Sequence, residues 1–75
     1  MNISGVYNVR GRGTVAVVKD LPRGVLVGCL LHQGDLAWTI TGIEHMNPAR
    51  TGDEIGLVLR PIGHTTEPQI GAFDL

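Results

Sequence analysis

Arg10-Gly11-Arg12-Gly13-Thr14-Val15-Ala16-Val17-Val18 decides how this chain is read. Gly11 and Gly13 can take the positive φ that other residues avoid, so the backbone can turn or bulge there. The β-branched run that follows suits a pleated, buried strand. The expectation is a strand, a glycine-rich corner and a second strand.

Working outward, the same grammar recurs. Ile3 to Val9 reads as the first strand, with Tyr7 and Val9 on one face and Val6 and Asn8 on the other. Thr14 to Lys19 is the second, apolar on both sides. Asp20-Leu21-Pro22-Arg23-Gly24 is a turn, since proline presets φ and glycine supplies a left-handed residue. Cys29 to Gln33 is a short strand, joined through a Gly34-Asp35 hairpin to the clearest alternation in the chain. There Leu36, Trp38 and Ile40 share one face, and Ala37, Thr39 and Thr41 the other. Ile43 falls out of phase, and a bulge at Gly42 would return it to the core side. Asn47 to Gly52 is a loop. Glu54 to Ile62 is a strand with Ile55, Leu57 and Leu59 on one face, Gly63 to Pro68 is polar and loops out, and Ile70 to Leu75 is a last short strand. No window carries a capped helical stripe.

With 75 residues, 11 glycines and 4 prolines, short strands joined by tight turns are favoured over helices. The expected fold is all-β: one domain over residues 1–75, a small closed, mostly antiparallel barrel of six or seven strands. Its centre must be aliphatic, because Tyr7, Trp38 and Phe73 are the sole aromatics. The composition, 43% hydrophobic and 17% charged, is globular. A net charge of −1 argues against a sequence-independent nucleic-acid binder. No apolar run reaches the roughly 20 residues of a membrane span, and MNISGVYNVR, without a basic region followed by an apolar stretch, is not expected to be a signal peptide. Cys29, alone among aliphatics, reads as a buried thiol in a reducing compartment, so a cytoplasmic location is expected. Met1 suggests a complete open reading frame.

Several segments together resemble the second, β-barrel domain of translational GTPases, best known from elongation factor Tu. Gly11-Arg12-Gly13-Thr14-Val15, then Arg23-Gly24 and Val27-Gly28, look like the start of that domain. Thr41-Gly42-Ile43-Glu44 is similar to the family's TGVE segment. Ala49-Arg50-Thr51-Gly52-Asp53-Glu54-Ile55-Gly56-Leu57-Val58-Leu59-Arg60 resembles its ARAGDNVGLLLRG stretch, and Ile70-Gly71-Ala72-Phe73 sits where the family has a RGQVL strand. The likeness runs from about Tyr7 to Leu75. It departs at Leu21-Pro22, where polar residues are usual, at Pro61, where glycine is usual, and in the loop from Gly63 to Gln69. The resemblance implies a closed antiparallel barrel. It does not imply GTP hydrolysis, which belongs to a separate domain whose GxxxxGK[ST] loop holds the phosphates. In the larger factors such a barrel packs on neighbouring domains and helps hold an aminoacylated tRNA end.

Candidate chemistry is sparse. His32, His45 and His64, with Asp35, Glu44 and Asp53, have donor atoms for zinc, but their spacings match no compact metal motif. Cys29 with a histidine is a conceivable nucleophile–base pair, yet its apolar setting makes it inert and no orienting group is evident. No catalytic residue, metal or cofactor is therefore expected. Arg10, Arg12 and Arg23 could meet at one barrel end and contact an anion or RNA. If Val15, Val17, Leu57 and Leu59 point inward, then Ala16, Val18 and Val58 form an outer apolar surface for self-association. The expected role is a non-catalytic, stand-alone binding module that pairs with itself or another protein. An RNA- or ribosome-associated adaptor is the alternative, and no membrane partner is expected.

Overall fold

The computed structural model describes residues 2–19, 24–46 and 54–75. They form six strands: β1 (Asn2–Val9), β2 (Gly13–Val18), β3 (Leu30–Gln33), β4 (Leu36–Met46), β5 (Glu54–Pro61) and β6 (Gly71–Ala72). There is no helix among the described residues. The strands make one sheet in the order β3-β4-β5-β2-β1-β6, antiparallel throughout. An antiparallel bridge between His32 and Asp74 joins the two ends of that order, so the sheet nearly closes into a barrel. The all-β architecture expected from the sequence is the one observed. The expected loop at Asn47 to Gly52 and most of the turn at Asp20 to Gly24 lie outside the described residues.

The glycine corner works as its residues dictate. The Arg12 amide donates to the Val9 carbonyl at 3.0 Å, closing a four-residue turn. Gly11 occupies its third position at φ 84°, and Gly13 follows at φ 92° where β2 begins. Both values are ones a side chain with a Cβ resists.

Two bulges set the phase of the sheet. In β1, Ile3 pairs with Val18 but Gly5 pairs with Val17, leaving Ser4 as the extra residue. The Ser4 hydroxyl donates to the Val17 carbonyl at 3.1 Å. In β4, Ile40 pairs with Leu59 and Gly42 with Val58, so Thr41 is extra and Ile43 returns to the inner face opposite Leu57. A Cβ on Gly42 would come within 3.2 Å of the Val58 side chain, so glycine suits that crowded outer position.

The core comprises Ile3, Ala16, Val18, Leu31, Trp38, Ile40, Leu57, Leu59 and Phe73. This reverses the face expected for β2. Ala16 lies opposite Val6 and Leu57, and Val18 opposite Ile3 and Ile55, all of which are inner-face positions. Residues directly paired across antiparallel strands share a face, so Ala16 and Val18 point in and cannot form an outer surface. Val15 and Val17 point out. The small Ala16 at the centre of the barrel leaves volume for Leu57 and the large Trp38, the usual mixing of small and large residues inside a narrow barrel.

Closure comes from residues 65–74, which run between β1 and β3. On the β4 side, the Trp38 indole N–H donates to the Thr66 carbonyl at 2.9 Å, and the Ala37 amide donates to the Thr65 hydroxyl at 3.2 Å. On the β1 side, the Asn8 amide donates to Glu67, and Asn2 and Ile3 pair with Ala72 and Gly71. Gln33 grips the segment from β3. Its Nε2 donates to the carbonyls of Gln69 at 2.7 Å and Ala72 at 3.1 Å, while its Oε1 accepts from the Gln69 amide at 2.9 Å. Phe73, 3% exposed, seats the segment in the core. The stretch expected to loop out at Gly63 to Pro68 carries no strand and is mostly exposed, but these hydrogen bonds tie it back against the sheet, and Pro68 is buried.

Two substitutions test this architecture. Gly13→Val forces a β-branched residue to positive φ and should destabilise the fold by about 1–3 kcal/mol; urea unfolding followed by circular dichroism measures it, and a wild-type midpoint would show the corner needs no such geometry. Val18→Lys buries an unpaired ammonium at a position 1% exposed and should abolish cooperative unfolding. A folded Val18→Lys barrel would contradict the inward placement.

Candidate interaction surface

The outer face of the sheet is built row by row from the strand registers. Tyr7, Val15, Val58 and Gly42 are successive partners across β1, β2, β5 and β4. The next row is Gly5, Val17, Gly56 and Glu44. This face is apolar, yet Val15 and Val17 are each only 4% exposed. Tyr7 lies back along its own strand, so that a Cβ on Gly5 would meet its ring at 3.0 Å. Arg12, in the glycine corner that opens β2, forms an ion pair with Glu44 on β4, and β5 lies between those two strands. The tyrosine ring and Glu44 of the ion pair lie on this outer side, where Val15 and Val17 are covered. A strand apolar on both sides is explained by cover on both sides.

Val58, the remaining member of the expected association surface, does face outward and is half-buried. Tyr7 beside it is 56% exposed, and Val9 is exposed at the end of β1.

A second apolar surface lies on the turn into β3. The Cys29 amide donates to the Leu26 carbonyl at 3.1 Å, with Gly28 at φ 101° inside the turn. Leu26 is 67% and Val27 61% exposed, and Leu30 just beyond them is also exposed. Turn tips are normally polar, so two aliphatic side chains in solvent here are unusual. The residue pattern by itself marks this stretch only as a lead-in to the strand. The signal it does carry is the Leu26-Val27-Gly28 run, an aliphatic pair placed against a turn glycine. Cys29 is half-buried rather than fully enclosed, and its Sγ accepts weakly from the Leu26 amide at 3.5 Å.

The meeting of Arg10, Arg12 and Arg23 expected from the sequence involves a residue outside the described ones. Arg12 is engaged by Glu44, Arg10 is exposed in the same turn, and Arg23 lies outside the described residues. His32 is exposed on β3 and His64 in the turn after β5. Among the described residues no three His, Cys, Asp or Glu side chains gather as metal ligands, and no polar or charged side chain is buried. A shallow groove of about 380 Å³ is lined by Gln33, Gly34, Leu36, Gln69, Ile70 and Ala72. It is the outer seam of the closing segment, where the Gln33 amide already satisfies backbone groups.

Both members of the Arg12–Glu44 pair are about half exposed, so their attraction is screened. Arg12→Ala should therefore cost under about 1 kcal/mol, read as the shift in urea midpoint, with the difference from wild type shrinking as salt is raised. A loss of several kcal/mol would mean the pair is structurally essential. Comparison with known proteins adds no name to this geometry: no family model, no curated protein and no solved structure matches the chain.

Proposed function

We propose that this chain is a non-catalytic β-barrel interaction module, related in fold to the translation-factor second domain and working in the cytoplasm, whose partner is a second copy of itself. The observation that carries the reading is the turn tip at Leu26 and Val27, each residue more than three fifths exposed, beside the exposed Leu30. Covering such a surface is favourable by about 25 cal/mol for each Å² of apolar area removed from solvent. Tyr7 and Val58 offer a second apolar area on the far strands. The kinship with translation factors is supported by the order of the GRGTV, TGIE and ARTGDEIGLVLR segments and is compatible with the nearly closed antiparallel barrel. No helix among the described residues is long and apolar enough to cross a membrane.

The RNA-adaptor reading has less behind it. Arg12 is tied to Glu44, the net charge is −1, and the described residues show no converging basic strip.

The experiment is the mass in solution of wild type and of the double variant Leu26→Ser, Val27→Ser. Both positions are exposed, so the barrel should survive the change. Wild type should associate as concentration rises, and the variant should remain monomeric. Wild type that stays monomeric at every concentration, or a variant that associates equally well, would overturn the reading. Binding of a single-stranded RNA that weakens steeply with salt would replace it with the adaptor role.

A further inference from the structure

We infer that residues 65–74 form an exchangeable element, which leaves its own barrel at high concentration and seats in the identical place on a second copy of the chain. This goes beyond the surface proposed above and stands on different residues.

The first observation is how the segment is held. Among the described residues its backbone pairs with the rest of the sheet only at Gly71, Ala72 and Asp74. Its other joints are hydrogen bonds made by the side chains of Asn8, Gln33 and Trp38 and one that the Thr65 hydroxyl accepts from the Ala37 amide. A single large apolar side chain, Phe73, anchors it in the core. Such an element opens at a free energy well below that of global unfolding.

The second observation is the connection that precedes it. β5 ends at Pro61, and the chain reverses through a turn in which the Thr65 amide donates to the Ile62 carbonyl at 3.2 Å. Gly63 sits in that turn at φ 62°, and His64 is exposed. Little is buried here, so the turn can straighten without disturbing the core. Pro61 and Pro68 favour extended backbone on either side of it.

The third observation is what the vacated place would accept. It presents the edge of β1 at Asn2 and Ile3, the Gln33 amide set to grip the Gln69 and Ala72 backbone, and the Trp38 indole N–H. It also holds a core space shaped by Phe73. The sequence that satisfies all of these is the segment itself, and a second copy supplies it. Each hydrogen bond and apolar packing interaction given up inside one barrel is remade between two, which is why exchange of identical elements is a low-cost route to a dimer. The remaining cost is the loss of independent motion, so concentration drives the exchange.

The test places one disulfide across the closing bridge. His32 and Asp74 exchange both backbone hydrogen bonds, at 2.7 and 2.9 Å, and both side chains are exposed. Such a pair has Cα atoms about 5.5 Å apart, within reach of a disulfide. The variant Cys29→Ser, His32→Cys, Asp74→Cys is unfolded, refolded reduced at low or high concentration, and then oxidised. Refolding at high concentration should give a dimer that persists on dilution and becomes a covalent dimer on a denaturing gel. Oxidation of the dilute monomer first should lock the segment in its own chain and prevent that dimer. A dimer whose disulfides all close within single chains would overturn the exchange while leaving the surface reading intact. Monomer alone after concentrated refolding would also overturn it. Wild type refolded in the same two ways reads the outcome without substitutions: a dimer surviving dilution supports exchange, and its absence refutes it.

Discussion

The barrel depends on the seam between β1 and β3 being filled. Five strands from β3 through β4, β5 and β2 to β1 would by themselves be an open, strongly twisted sheet with unsatisfied edges. Gln33 resolves this with one side chain, because an amide both donates and accepts and so can grip a backbone running past it. The Trp38 indole holds the segment from the inner face as a donor alone, with its ring in the core and its N–H turned to the Thr66 carbonyl. A chain this short buries only about 60% of its unfolded surface, so it has little burial elsewhere to offset an open seam.

Glycine and the bulges act in concert with that closure. A six-strand sheet cannot curl tightly at constant register, and the extra residues at Ser4 and Thr41 add the local twist. Each bulge is followed by a glycine on the outer face, Gly5 and Gly42, where neighbouring side chains crowd in. Tyr7 uses the space over Gly5. The outside of the barrel is consequently not a uniform polar coat but a packed layer of valines, glycines, one aromatic ring and one ion pair.

Most of the strands are legible from residue pattern alone, because glycine marks the turns and the β4 alternation is clean. The Gly42 irregularity is legible too, since Ile43 breaks phase in an otherwise regular run. The face of β2 is not. Val15, Ala16, Val17 and Val18 are all apolar, so a period of two gives no sign, and the answer lies in the Ser4 bulge that sets the register of β1 against it. The Arg12–Glu44 pair joins positions far apart in the chain, and nothing local announces it. The closing segment has the composition of a polar loop because its partners, Gln33 and Trp38, are likewise distant. The candidate surface at Leu26 and Val27 is visible as composition, but the turn geometry is needed to show which way the side chains go.

The placement of Trp38 has a practical corollary. It is the one indole in the molecule, sealed at 1% exposure with its ring nitrogen bound to the segment that completes the wall. Its emission colour therefore reports on that segment from within. A blue spectrum shielded from iodide marks a docked wall, and a red shift that precedes the loss of sheet signal marks a wall ajar, with no label attached to the protein.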